Sequence, residues 1–101
     1  MRSSLERILA PRSVAVIGVS SKPESLSGLL LTNLTSAGFT GGIYPINPKA
    51  TTIASLPCFP AIGAAPAPVD LAVIMVPRDA VLASIDECVA ASVGGVVVIT
   101  A

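Results

Sequence analysis

The chain predicts an α/β domain built on a doubly wound parallel sheet, and three observations carry that prediction. Aliphatic runs of strand length, over residues 14–17, 71–76 and 96–99, alternate with longer segments of helical spacing. The runs are continuous rather than alternating, as in strands covered on both faces. Hydrophobic residues make up 52% of the sequence but aromatic ones only 3%, so Val, Ile, Leu and Ala must build the core. At 101 residues there is room for one domain and not two.

The elements follow in order. Residues 4–10 predict a short helix capped by Ser4, with Leu5, Ile8 and Leu9 on one apolar face and Pro11 ending it. Residues 13–18 form the first strand, stopped at Gly18. A long helix runs from residue 26 or 27 to 37, with Leu30, Leu31, Leu34 and Ala37 in its stripe. Gly38 closes it in a left-handed conformation and Phe39 folds back on the last turn. Residues 42–46 are the second strand, and Pro45 places it near a sheet edge. Weaker extended pieces lie over 51–59, then an Ala- and Pro-rich linker with one helical turn over 61–64. Residues 69–76 are a strand stopped by Pro77. Asp70, just inside its start, caps a turn. Asp79 caps a helix to residue 92 whose apolar face is Val81, Leu82, Ile85, Cys88 and Val89. Gly94 and Gly95 break it before a last strand over 96–100.

Strand–helix alternation with right-handed crossovers gives a parallel sheet whose ligands bind beyond the carboxyl ends of the strands. Those ends are residues 18–21, 47–49, 76–77 and 100–101.

Composition excludes several classes. Six basic residues balance six acidic ones, so nothing electrostatic favours nucleic acid. No apolar run reaches the roughly 18 residues that span a membrane, and the amino terminus does not resemble a signal peptide. The chain therefore reads as cytoplasmic, with Cys58 and Cys88 as free thiols. Histidine is absent, which removes the commonest general base and transition-metal ligand. Two cysteines without ligand spacing make no zinc site. Cys58 has no candidate base, and Asp86 and Glu87 point to different faces of their helix, so no catalytic residue and no metal is assigned. With charged residues at only 12%, the domain is expected to bury part of its surface against another domain or subunit.

The loop after the first strand offers backbone amides and the hydroxyls of Ser20, Ser21, Ser25 and Ser27 at a helix start, a combination that suits a phosphate or diphosphate. The same serines would also serve an ordinary strand-to-helix turn. The dinucleotide fingerprint Gly-x-Gly-x-x-Gly begins at Gly18 and fails at Ser20, with no glycine until Gly28. A NAD site places an acid after the second strand, about 20 residues on. Here Asn47-Pro48-Lys49 stands instead. A lysine there attracts a phosphate on the adenosine ribose, which NADP carries on the 2′ oxygen and coenzyme A on the 3′ oxygen.

The opening over residues 5–20, Leu-Glu-Arg-Ile-Leu-Ala-Pro-Arg-Ser-Val-Ala-Val-Ile-Gly-Val-Ser, resembles the CoA-binding domain of NDP-forming acyl-CoA synthetases, relatives of the succinyl-CoA synthetase α subunit. Pro23 and Gly28, the stretch Ile-Tyr-Pro-Ile-Asn-Pro-Lys over 43–49, Leu-Pro-Cys over 56–58, residues 69–77 and the final strand extend the resemblance over nearly the whole chain. It implies a Rossmann-like sheet, cut short at its C-terminal end, with residues 1–101 as a CoA-binding fragment of a larger multidomain enzyme. Gly18, Ser20 and Ser21 would line the CoA diphosphate, with Gly28 letting the helix approach. Asn47, Pro48 and Lys49 would meet the adenosine and its 3′-phosphate. Val76, Pro77, Ile99 and Thr100 would border the pantetheine arm. Glu24 departs from the family, which often has glycine there. The phosphohistidine, the ADP or ATP and its Mg would belong to further domains or subunits, so the fragment alone would not catalyse thioester formation. Two alternatives stand beside it: a CoA- or nucleotide-sensing module fused to a GNAT-type lysine acetyltransferase, which the resemblance also allows and which downstream sequence would distinguish, and an NADP-binding domain, which Lys49 suits but the extended loop and missing second glycine speak against.

Overall fold

The computed structural model describes residues 3–20, 22, 24–66 and 68–99. The elements are α1 (Ser4–Leu9), β1 (Ser13–Ile17), α2 (Leu26–Ser36), β2 (Gly42–Ile46), β3 (Thr52–Ile53), β4 (Leu56–Pro57), β5 (Leu71–Ile74), α3 (Val81–Ala90) and β6 (Gly95–Val98). Short 3-10 turns lie over Ile62–Ala64 and Arg78–Ala80.

Four strands form one parallel sheet in the order β2-β1-β5-β6. The chain leaves β1 toward β2 on one side and leaves β5 toward β6 on the other. Right-handed crossovers then put α2 and α3 on opposite faces, which is the doubly wound arrangement expected from the sequence. One core layer packs Val14, Val16, Val19 and Val73 against Leu31 of α2 and Ile53 of the hairpin. The other packs Ala15, Ile17, Ile46, Ala72 and Ile74 against Cys88 of α3 and Ile62. Every residue of β1 is buried, because it is a central strand with a layer on each face.

β2 is an edge strand, as Pro45 required, and its free edge is partly paired. The Phe59 amide donates to Pro45 O at 2.9 Å, and the Asn47 amide donates to Phe59 O at 2.9 Å. The extended pieces expected over 51–59 are the β3–β4 hairpin, turned by Ala54 and Ser55, both left-handed. Gly38 is left-handed at φ +82°, and the Phe39 amide donates to Leu34 O at 3.3 Å, closing α2 as expected.

Five expectations need correction. The cap of α1 is Ser3, not Ser4: its hydroxyl accepts from the Glu6 amide at 3.2 Å while Glu6 Oε1 accepts from the Ser3 amide at 3.3 Å, a capping box. Asp79 does not cap α3, because it lies inside the 3-10 turn that leads into it. The buried stripe of α3 is narrower than expected. Ser84 and Cys88 are buried and Val81 and Ile85 half-buried, whereas Leu82 and Val89 lie about 100° farther round and are 76% and 72% exposed. Ala37 is the exposed C-cap of α2 rather than part of its stripe.

The fifth correction concerns Asp70. It caps no simple turn but is buried at the amino edge of the sheet as the centre of a clasp. Arg7 Nε donates to Asp70 Oδ1 at 2.8 Å, and the Arg12 amide donates to Asp70 Oδ2 at 2.8 Å. Arg7 Nη2 also donates to Val69 O at 2.8 Å. A Cβ on Gly94 would lie 2.6 Å from Arg7 Nε, and one on Gly95 would meet Ile8. The two glycines expected to break the helix thus also let α1 lie on the start of β6. Leu5 and Leu9 face outward.

Candidate functional site

The strand register sets the site. Ile17 stands opposite both Ile46 and Ile74, and Ile74 opposite Val98. The residues that follow, Gly18, Asn47, Met75 and Ile99, therefore come level at one edge. The switch point of the sheet lies between β1 and β5, where a crevice must open.

Gly18 is the pivot of that crevice. It is left-handed at φ +85°, and a Cβ on it would lie 2.7 Å from Val76 Cγ1 and 2.8 Å from Met75 O. Only a hydrogen side chain lets the chain turn this close to the neighbouring strand end.

Two clefts flank the pivot and share Val76. One, of about 430 Å³, is lined by Gly18, Val19, Asn47, Pro48, Lys49 and Glu87, among others. The other, of about 580 Å³, is lined by Ser25, Leu26, Ser27, Met75, Val76, Pro77, Arg78 and Ile99. Of the residues singled out at the strand ends, Gly18, Asn47, Pro48, Lys49, Val76, Pro77 and Ile99 are thus brought to one edge.

Asn47 fastens the two loops of the smaller cleft together. Its Nδ2 donates to Val19 O at 2.8 Å, and its Oδ1 accepts from the Lys49 amide at 2.7 Å. The second bond is an Asx turn that sets the backbone at Lys49. Lys49 itself is exposed. An Asn47→Asp variant loses the donor to Val19 O and puts a like charge near any bound anion. We expect it to lower stability by about 1–3 kcal/mol in urea unfolding, since a carboxylate oxygen then faces the Val19 carbonyl.

The serines of the first loop mostly hold the loop itself. The Ser20 amide donates to the buried Ser27 Oγ at 2.9 Å, and the Lys22 amide to Ser20 Oγ at 3.1 Å. Ser25 is the N-cap of α2, its hydroxyl accepting from the Gly28 amide at 3.1 Å. Helix geometry leaves the Leu26 and Ser27 amides of that first turn without an intrahelical acceptor. Both residues line the larger cleft. Ser20 and Gly28, expected beside a diphosphate, are not among the residues lining either cleft; Gly28 is buried in the first turn. Ser21 and Thr100 lie outside the described residues. Glu24 is exposed.

A family model described as a CoA binding domain matches residues 12–101. The chain belongs to that CoA-binding domain family. An ADP-forming acetate–CoA ligase I of Archaeoglobus fulgidus is 39% identical to this CoA-binding domain over 97 residues, covering 96% of the chain and 14% of the ligase. The α subunit of an ADP-forming acetate–CoA ligase I of Pyrococcus furiosus is 38% identical over 89 residues, covering 84% of the chain and 19% of the subunit. The chain is also similar to a solved structure of the dinucleotide-forming acetyl-coenzyme A synthetase 1 of Ca. Korarchaeum cryptofilum, in complex with phosphate and ADP. The TM-score is 0.91 and the identity 46%, over 96% of this chain and 21% of that one. The domain therefore spans only a small part of the length of the relatives it matches.

Sequence reasoning missed Arg78, Met75, Leu26 and Glu87 as cleft residues. Arg78 was within reach, since it directly follows Pro77 at a strand end. Nothing in the pattern of α3 marks Glu87. Cys58 lies half-buried near the smaller cleft, its Sγ donating weakly to Asn47 O at 3.6 Å. Burial pushes its thiol pKa up against the pull of that contact, and burial likewise raises Cys88, so neither is activated. Among the described residues no group of His, Cys, Asp or Glu could hold a metal ion, and no helix is long and apolar enough to cross a membrane.

Proposed function

We propose that this chain is the CoA-binding unit of an NDP-forming, specifically ADP-forming, acyl-CoA synthetase, and that it holds CoA along the carboxyl edge of the sheet. The observation that carries the reading is the pair of clefts meeting at Val76, with Lys49 at one end and the start of α2 at the other. CoA suits this shape: it is long, with a phosphate on its ribose and a diphosphate midway. Lys49 takes the 3′-phosphate, with Asn47 and Pro48 bordering the adenosine. Gly18 brings the diphosphate close to the first turn of α2, with Ser20 and Ser21 lining it and Gly28 letting the helix approach. Val76, Pro77, Ile99 and Thr100 border the pantetheine arm.

The similarity to ADP-forming ligases supports the choice of parent enzyme. In that enzyme an acid and CoA are joined with phosphoryl transfer through a phosphohistidine. This chain contains no histidine, so that step and the binding of ADP, ATP and Mg belong to other domains or subunits. Here the chain's own task is to bind CoA and aim its thiol, in the cytoplasm, docked against those partners. The exposed Leu82, Val89 and β6 valines are consistent with such docking.

Side-by-side calorimetric titration with CoA, 3′-dephospho-CoA, NADPH and NADH tests the reading. CoA is expected to bind most tightly, and about tenfold better than its dephospho form. Lys49→Ala should bring the two CoA forms to equal affinity. Preference for NADPH would overturn the assignment of CoA. A wild-type chain with equal affinity for the two CoA forms would remove Lys49 from the site.

A further inference from the structure

We infer that Arg78 is a second cationic contact for CoA, placed at its diphosphate, across the larger cleft from the start of α2. The inference rests on the CoA reading above and adds to it a residue and a division of labour.

Of the six Lys and Arg residues, Arg2 lies outside the described residues. Arg7 is consumed by the clasp with Asp70 at the amino edge, and Arg12, whose amide binds Asp70, sits at that edge too. Lys22, Lys49 and Arg78 remain, each in a loop at the carboxyl edge. Of these, Lys49 and Arg78 line the two clefts described above, one in each.

Arg78 shares its cleft with Ser25, Leu26 and Ser27. Two of these, Leu26 and Ser27, carry the amides that α2 geometry leaves free. An anion there meets backbone donors on one side and a guanidinium on the other. Arg78 is exposed, and among the described residues no ion pair engages it. Its fork of donors matches phosphate oxygens, which a compact lysine ammonium does less well. Pro77, extended at φ −56° and ψ 152°, starts the 3-10 turn that carries Arg78, so the residue is held at the rim by a stiff neighbour. The loop serines mostly bond to one another and to loop amides. A side chain from beyond β5 supplies the charge that they lack.

Lys49 and Arg78 would then read different phosphates, and the test separates them. The full chain and its Arg78→Gln variant are titrated with CoA and 3′-dephospho-CoA, with melting followed by circular dichroism. Arg78→Gln is expected to weaken both ligands about tenfold and leave their ratio as in wild type. Lys49→Ala, by contrast, abolishes the ratio. Arg78→Lys should recover part of the affinity. Unchanged CoA affinity in Arg78→Gln overturns the inference. So does a collapsed ratio, which would put Arg78 at the 3′-phosphate, and so does a loss of melting temperature matching the loss of affinity. A wild-type chain that binds no CoA overturns the underlying reading, and this one with it.

Discussion

Replacing Gly18 with alanine is expected to abolish measurable CoA binding and to destabilise the fold by about 2–4 kcal/mol. Two costs combine. The residue is left-handed at φ +85°, where a Cβ is strained. The new methyl would also lie 2.8 Å from Met75 O and 2.9 Å from Met75 C, backbone atoms that cannot swing aside. Relief requires β1 and β5 to part at their carboxyl ends, which is where both clefts meet. Gly38→Ala is the matched control. Gly38 is equally left-handed at φ +82°, but a Cβ on it would have nothing within 4 Å. It should cost only the backbone strain, about 1 kcal/mol, and leave CoA affinity alone. The comparison is made by urea unfolding and calorimetric titration of both variants. Equal behaviour of the two would show that the approach of Gly18 to Met75 is dispensable.

The second large effect is at the opposite edge. Asp70→Asn or Arg7→Met should each cost about 3 kcal/mol, because each strands a partner built for a charge pair, most severely the buried Asp70 carboxylate in Arg7→Met. The double variant should lose clearly less than the sum, since it removes both charges together. Urea unfolding of the three variants measures the coupling. Strict additivity would reduce the clasp to an incidental contact. The ratio of CoA to dephospho-CoA affinity should survive in all three, because no clasp residue lines either cleft.

The sequence showed the sheet and its ligand edge clearly, and the reasons are local. Val14 to Ile17 can only be a strand buried on both faces, Gly38 can only close a helix, and Pro45 belongs on an edge. Gly18 and Lys49 were legible because strand ends in such a sheet are forced to one edge. What stayed hidden depends on distance along the chain. Asp70 looked like a local cap because nothing in its neighbourhood announces Arg7. Leu82 and Val89 fit an apolar face by spacing, but the half-turn that is actually covered is set by the sheet beneath α3. Ser20 offered an amide to a phosphate until the fold brought the Ser27 hydroxyl to it.

The clasp also bears on when the fold becomes complete. Arg7 reaches partners 62 and 63 positions farther along, at Val69 and Asp70, and a longer contact 85 positions on, at Ser92 O. A six-residue helix cannot persist in water by itself, so α1 has nothing to hold until β5 and β6 exist. During synthesis α1 must wait for partners 62 and 63 positions farther along. Loop-closure entropy must be paid before contacts over such separations reward it, so we expect the clasp to form after the sheet it fastens. Loss of the clasp would then leave the speed of folding almost untouched and shorten the life of the folded state. The α1 segment thus acts as a latch on the folded sheet, not as its seed.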